Sequence, residues 1–416
     1  MQLPRRFRRV ATAAIAVVVF LSWNIYEQAE RSAVIDIDAQ YPLLSKYIKG
    51  GRGSGGAWYL PEEWTPDSTV PVKSIIDAAQ LALNTSKSEP QRQIPHSTIP
   101  RIIHQTWKDT HLETWPSTFR NSAEKWLAAV EDGNTAYLFW DDNGVAQFIR
   151  YFESDLEAEF YALNNVERSD VFRILVCKWI GGTYVDMDTE PIHTPGEWIT
   201  ETDLLPWQDP QTDRVYHSST LIQAIVGIEA DCPPNGDSYW RWGYFYPIQL
   251  TQWSFAFAPG HPALDFFIDR LLATLRTVAR DEDDQLLPDM FQQELSYIDP
   301  VNLTGPIAFT DSVRSWLELK ADLRWDALSG LEDGGPSKVV DDVLVLPITG
   351  FSPGRSRGLK NMGSKPITDP SARLYHHAQG SWRKWSLRVE YGKACRTVFG
   401  LCKDWSKVSH GGYWLY

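Results

Sequence analysis

Residues 166–188 constrain the fold of this chain more than any other stretch. A helix-forming run, Val166–Ile180, stops at Gly181-Gly182 and is followed at once by Thr183-Tyr184-Val185 and then by Asp186-Met187-Asp188. Val171, Leu175, Val176 and Trp179 fall on one predicted helix face. The glycine pair tolerates the left-handed backbone that ends a helix. Thr183–Val185 reads as a short buried strand, so two acids stand where a strand runs out. In open α/β sheets, ligands bind beyond the carboxyl ends of strands.

The same alternation continues on either side. Ile102-Ile103-His104-Gln105-Thr106 reads as a buried strand, Phe119–Val130 as a helix and Thr135–Trp140 as a strand. Asp141 or Asp142 then caps a helix running to Phe152. Later, Leu221–Ile228 and Val343–Ile348 read as strands and Pro262–Val278 as an amphipathic helix. The pattern predicts an α/β domain with a largely parallel sheet, beginning at Ile99 and running to about residue 385. Residues 26–98 read as a stem: Gly50-Gly51-Arg52-Gly53-Ser54-Gly55-Gly56 as a flexible stretch, a short helix around Ser74–Leu83, and prolines elsewhere. Residues 386–416 read as a C-terminal tail. His104 is expected to be a satisfied buried histidine rather than a ligand.

The compartment is read from residues 1–25. Arg5, Arg6, Arg8 and Arg9 precede an apolar run, Val10 to Trp23. Arginines before such a run stay cytoplasmic, which would place everything after it in a lumen. The run is short for a span, and a secretory signal peptide is the alternative. The bulky Ser22-Trp23-Asn24-Ile25-Tyr26 lacks a small-x-small cleavage site, and a short span suits thin early-secretory membranes, so an anchor is favoured. The sequon Asn84-Thr85-Ser86 agrees with lumenal exposure, and a second, Asn302-Leu303-Thr304, is followed by Gly305-Pro306. The four cysteines, Cys177, Cys232, Cys395 and Cys402, fit no zinc spacing. Cys177 is expected to be buried, and Cys395 with Cys402 could close a small disulfide loop in an oxidising lumen.

Acids outnumber bases by 53 to 40, a net charge of −13. That excludes nucleic acid as a partner, because binding a phosphate backbone needs a basic surface. A polyanionic small molecule could still bind through a bridging cation. Asp-x-Asp occurs three times, as Asp36/Asp38, Asp186/Asp188 and Asp281/Asp283. The first falls in the stem and the third in the charged run Arg280–Asp284. Only Asp186/Asp188 follows an apolar strand, where extended backbone would point both carboxylates to the same side. Hard oxygen ligands suit Mg²⁺ or Mn²⁺, and such a cation can bridge a diphosphate and offset charge on a leaving group. The alternative is a turn whose aspartates cap the next segment. Spacing alone does not separate the two, and the flanking pattern favours the metal.

Around these acids the sequence closely resembles glycosyltransferase family 32. The blocks are Arg168-Ser169-Asp170-Val171-Phe172-Arg173, Gly181-Gly182-Thr183-Tyr184-Val185-Asp186-Met187-Asp188-Thr189-Glu190-Pro191, Ile99–Trp107, Gly227-Ile228-Glu229-Ala230-Asp231, Thr304-Gly305-Pro306, Phe351-Ser352-Pro353-Gly354 and His376–Trp382. Within that family it looks like the fungal initiation-specific α-1,6-mannosyltransferases. The resemblance implies a GT-A (Rossmann-like) fold and Golgi residence. It also implies Mn²⁺ dependence, GDP-mannose as donor, an N-glycan mannose as acceptor and retention of the α configuration. Retention lets the departing phosphate take the acceptor proton, so no general base is named.

On this reading Asp170 and Arg173, one helical turn apart, meet the donor sugar and diphosphate; the alternative is an intrahelical ion pair. Trp107 helps form the donor pocket, or is an ordinary core Trp, and Tyr184 is placed among the donor-binding residues. His376 or His377 completes the metal site; alternation on a strand would admit only one. Ser381 and Trp382 close over the donor phosphates with Gly380 as hinge. Glu229 and Asp231 line the acceptor side, or form a turn of solvated acids. Tyr239, Trp240, Trp242 and Tyr244 read as a packed aromatic loop. Other readings are a family member acting on a sphingolipid or using another nucleotide sugar, and, from a different class, a silent carbohydrate-binding or scaffold protein.

Overall fold

In the computed structural model, residues 36–65, 71–132, 134–236, 238–278, 298–331, 334–355, 362–380 and 387–401 are described. The chain divides into two compact units, Met1–Pro42 and Leu43–Tyr416. In the first unit the described part holds a one-turn helix, Ile37–Gln40. Asp36 caps it by accepting the Ala39 amide, so this Asp-x-Asp serves a helix end. The anchor expected over residues 1–25 lies outside the described residues. Among the described residues no helix is long and apolar enough to cross a membrane.

The strands of the second unit, in chain order, are β1 Gly56–Tyr59, β2 Ile102–Thr106, β3 Ala136–Trp140, β4 Gly182–Val185, β5 Thr189–Pro191, β6 Trp207–Gln208, β7 Val215–Tyr216, β8 Ala224–Asp231, β9 Ile248–Leu250, β10 Ser254–Phe257, β11 Lys338–Val340, β12 Val343–Leu346 and β13 Leu374–His376. The main sheet runs β1-β3-β2-β4-β10-β8-β12-β11, with β9 paired to β8. Strand β2 is parallel to β3 and β4, and β12 is parallel to β8. The other pairings, including β10 with both β4 and β8, are antiparallel. The sheet is therefore mixed rather than largely parallel. The cause lies between Ala224 and Phe257, where the chain returns through loops and a five-residue helix, Ser238–Trp242. A parallel crossover usually runs through a helix packed across the sheet; here the chain instead turns back through Ser238–Trp242 and pairs β9, then β10, antiparallel along β8. Because β10 is antiparallel to both neighbours, β8 keeps the direction of β4. The carboxyl ends of β2, β3, β4, β8 and β12 therefore share one edge of the sheet.

The stem reading needs correction from Leu43 onward. Strand β1 pairs along β3, Gly56 opposite Trp140 and Tyr59 opposite Tyr137. Helix Ile75–Ser88 opens with a Ser74/Asp77 capping box and buries Ile75, Ile76, Ala78, Ala79 and Ala82 in the same core as β3. Gly53, Gly55 and Gly56, which read as flexible, are close-packing sites. A Cβ on Gly56 would lie 2.1 Å from the Phe139 carbonyl oxygen, and Gly56 has a φ of +136°. A glycine at 56 lets the backbone lie against β3, and Gly55 lets it lie against Gly144.

Helix Asn165–Trp179 is capped by Asn164, whose side chain accepts the Val166 and Glu167 amides. It is buried nearly all round rather than on one face, including Glu167, Asp170 and Arg173, while Trp179 is exposed. A helix wrapped by protein on all sides has no polar stripe to show in its sequence. Helix Leu387–Phe399 occupies part of the expected tail and holds Arg396 Nε 3.1 Å from the Arg241 carbonyl. Cys177 and Cys232 are buried thiols outside any disulfide; Cys395 is disulfide-bonded, and Cys402 lies outside the described residues.

Candidate metal and donor site

Strand β4 ends at Val185, and Asp186 to Thr189 form a tight turn. The Thr189 amide donates to the Asp186 carbonyl at 3.1 Å, and its hydroxyl to the same oxygen at 2.6 Å. The two carboxylates therefore converge through a turn, not through strand alternation. Beyond it, β5 pairs with β13, placing His376 opposite Thr189, and the His377 amide donates to the Asp188 carbonyl at 2.9 Å. This pairing carries His376 across a long sequence gap to the two acids. One ligand atom from each of Asp186, Asp188 and His376 lies within 4.8 Å of the others.

The donor set fits a divalent cation. Two carboxylates and one imidazole suit Mn²⁺, and Mg²⁺ with more water. His376 Nδ1 is buried without a hydrogen-bond partner among the described residues, an orphan that a site with a missing member explains. Burial pushes the Asp186 carboxyl above its usual range, with Arg173 opposing. Burial also works against charge on Asp188, but His376, at 3.2 Å, and the Gln379 amide, at 2.9 Å, outweigh it and hold that carboxyl low. His377 turns the other way. Its Nε2 lies 2.9 Å from Glu190, which also pairs with Lys125 at 2.6 Å. The alternation argument holds, and His377 is not brought to the cluster.

Asp170 and Arg173 are both an ion pair and part of this site. Arg173 Nη2 sits 3.2 Å from Asp170 Oδ1 and 3.2 Å from Asp186 Oδ1, and Nη1 donates to the Gln252 carbonyl at 3.0 Å. Thr304 donates to Asp170 at 3.1 Å. Burial pushes the Asp170 carboxyl up to about 7, with the Arg173 charge opposing. Tyr184 is buried and donates its hydroxyl to Asp186 Oδ1 at 2.9 Å, so it orients a carboxylate.

The remaining expectations divide. Trp107 follows β2, edge-on to Phe119 at 4.7 Å, with its indole Nε1 buried and unpartnered among the described residues. His104 is the satisfied core histidine expected: Nε2 lies 2.8 Å from the Gly181 carbonyl, and Nδ1 accepts from Trp140. Glu229 lies near the edge, with Gln249 donating to it at 3.2 Å. Asp231 does not line an acceptor side. It is fully buried, and its oxygens accept from the Ser329 hydroxyl and the Gly330 amide, each at 2.7 Å. Tyr239, Trp242 and Tyr244 pack against the core. Ser381, Trp382, Asp281 and Asp283 lie outside the described residues.

Sequence reasoning missed Trp253. Its carbonyl accepts the Asp186 amide at 2.9 Å, and its ring stacks on His376 at 4.4 Å. It therefore fixes two of the three cluster members. No motif announces it, since half of its work is done by backbone. Thr304 was visible only as part of a matching block.

Residues 116–205 match the glycosyltransferase sugar-binding region containing the DXD motif. Over that stretch the chain is similar to the DXD-containing glycosyltransferases. It is 31% identical to the initiation-specific α-1,6-mannosyltransferase of Schizosaccharomyces pombe over 297 residues, 69% of this chain and 65% of the relative. It thus spans just under two thirds of that relative's length. Identity to the initiation-specific α-1,6-mannosyltransferase of Candida albicans is 29% over 309 residues, 68% of this chain and 72% of the relative. Similarity to inositol phosphoceramide mannosyltransferase 2 of Schizosaccharomyces pombe is 29% over 157 residues, 34% of this chain and 41% of that protein.

Proposed function

We propose that this glycosyltransferase moves mannose from GDP-mannose to a mannose of an N-glycan, with retention and in α-1,6 linkage, on a GT-A type domain. The observation that carries the metal-dependent chemistry is the convergence of Asp186, Asp188 and His376 on one point of the sheet's carboxyl edge. Mn²⁺ or Mg²⁺ bound there would neutralise charge on the departing diphosphate. Arg173, locked between Asp170 and Asp186, holds a fixed positive charge beside that position. Asp170, shielded by burial and bonded to Thr304, is placed to bind donor hydroxyls. Trp107 offers an indole N–H and a ring edge for the nucleotide. Ser381 and Trp382 are read as closing over the phosphates. The chain is read as a Golgi protein held by residues 1–25, with its catalytic part in the lumen.

A sphingolipid acceptor is the second reading, supported by similarity to the inositol phosphoceramide enzyme over a third of the chain. The longer alignment to the α-1,6-mannosyltransferases favours the glycan. The full chain incubated with GDP-mannose and other nucleotide sugars, with and without Mn²⁺, tests the proposal. Release of GDP and transfer to mannose oligosaccharides should require both GDP-mannose and Mn²⁺. Identical rates for wild type and the Asp186→Ala/Asp188→Ala chain would overturn it.

A further inference from the structure

Five side chains succeed one another along the carboxyl edge of the sheet. Trp107 follows β2 and Asp186 follows β4. Trp253 immediately precedes β10, whose reversed direction brings its start to this same edge. Glu229 lies near the end of β8, and Arg355 follows β12 through the short helix Ile348–Phe351. Neighbouring strands lie about 4.8 Å apart, which sets the strand that carries Glu229 about 10 Å from the metal-bearing strand. Arg173 reaches Asp186 from the buried helix, Thr304 bonds Asp170 from a separate segment, and both Arg173 and Thr304 meet Gln252 beside Trp253; Trp107 stands one strand beyond Asp186 on the opposite side.

Arg355 is tied to the metal cluster through Trp253. Its guanidinium carbon lies 4.8 Å from the centre of the Trp253 ring, which stacks on His376. Its polar contacts are loose. Nη1 is 3.5 Å from the Tyr244 hydroxyl and 3.9 Å from Glu229 Oε1, beyond hydrogen-bond reach of the carboxylate. The Arg355 side chain is 27% exposed and the Glu229 side chain 12%. A guanidinium carries five donors in a rigid fork, and a carboxylate accepts only. Set side by side and not closed on each other, they match neighbouring sugar hydroxyls, each of which both donates and accepts. The nearby Glu229 charge also disfavours a phosphate on Arg355.

We propose that Arg355, with Glu229 and Tyr244, forms the subsite for the acceptor sugar, and that this sugar is a neutral hexose. The inference rests on the transferase reading above and names residues for its acceptor half.

The experiment is steady-state kinetics of the full chain with GDP-mannose, Mn²⁺ and an α-mannose oligosaccharide. Donor turnover by wild type, hydrolysis without acceptor and transfer with it, is measured first; absence of both with every nucleotide sugar would defeat the transferase reading itself. Arg355→Gln should raise the acceptor KM about 10- to 100-fold, the loss expected for one or two charge-assisted hydrogen bonds. The donor KM and the Mn²⁺ concentration for half-maximal rate should stay within about twofold. If those two parameters move along with the acceptor KM, Arg355 only props Trp253 and His376, and the subsite assignment is overturned. An unchanged acceptor KM overturns it as well. Should Arg355→Gln not fold, Arg355→Lys and Glu229→Gln face the same criterion.

Discussion

Arg173→Gln is the substitution whose consequences the geometry constrains most tightly. In the folded chain one guanidinium serves the buried Asp170 carboxylate and the part-exposed Asp186 carboxylate at 3.2 Å each, a carbonyl at 3.0 Å, and the Tyr184 ring at 5.0 Å. Removing it leaves Asp170 and Asp186 without their cation, and losing one partner of a buried pair costs about 3–5 kcal/mol. The cost should depend on pH. The folded Asp170 carboxyl, at about 7 in the intact protein, lies above its ordinary value because of burial, while Arg173 pulls it down. An acid raised in the folded state withdraws stability as pH climbs from the unfolded value, about 4, to the folded one. Without Arg173 the folded value moves higher and the withdrawal continues past pH 7. The stability gap between wild type and Arg173→Gln should thus widen from pH 6 to pH 8.5, measured by urea unfolding without metal. Asp170→Asn added to Arg173→Gln should shrink the gap, because it removes one uncompensated charge. A gap that is flat with pH, or a double variant no better than the single one, would show that the guanidinium is not the counter-charge described here.

Three further outcomes follow from individual contacts. His376→Ala should raise the Mn²⁺ concentration for half-maximal activity at least tenfold, and His377→Ala should change it less than about threefold, since one ring faces the acids and the other faces Glu190; a Mn²⁺ titration of each variant decides. Asp231→Ala should lower stability by about 2–4 kcal/mol with little change in acceptor KM, because it leaves the Ser329 hydroxyl and Gly330 amide buried without an acceptor; thermal unfolding beside kinetics checks this. Gly56→Ala should destabilise the whole domain, because its Cβ would meet the Phe139 carbonyl. A stem residue would tolerate the change with no shift in Tm.

Where the sequence carried a periodic or capping signal, the fold was legible from it. The helix beginning after Asp141 starts there because the Asp141 carboxylate accepts the Gly144 amide at 2.8 Å. The Gly181-Gly182 break is real, with Gly181 at φ +73° and Gly182 so close to β2 that a Cβ would lie 2.5 Å from the Ile102 carbonyl. What failed was any inference that needed contacts between distant parts of the chain. Glycines that permit motion and glycines that permit close approach look identical in a sequence, so the segment holding β1 passed for a linker. Strand direction was equally hidden, since β10 carries the apolar composition of a parallel strand and differs only in how the chain returns to it.

The site shows the same division at finer grain. Asp186 and Asp188 were findable because their neighbours in sequence set their position. His376 over His377 was not, because the choice depends on the register of β13 on β5, and a shift of one residue would exchange the two rings. Glu229 and Asp231 make the point with a single strand. Two residues apart, they fall on the same side by alternation, yet a β-bulge between β8 and β9 interrupts the register at Ile228 and Ala230. Beyond it Asp231 is absorbed by Ser329 and Gly330, while Glu229 remains beside Arg355. A bulge that re-aims a side chain is common next to functional sites. Here it gives two acids that look equivalent in sequence different surroundings, one absorbed in holding the fold and the other left beside Arg355.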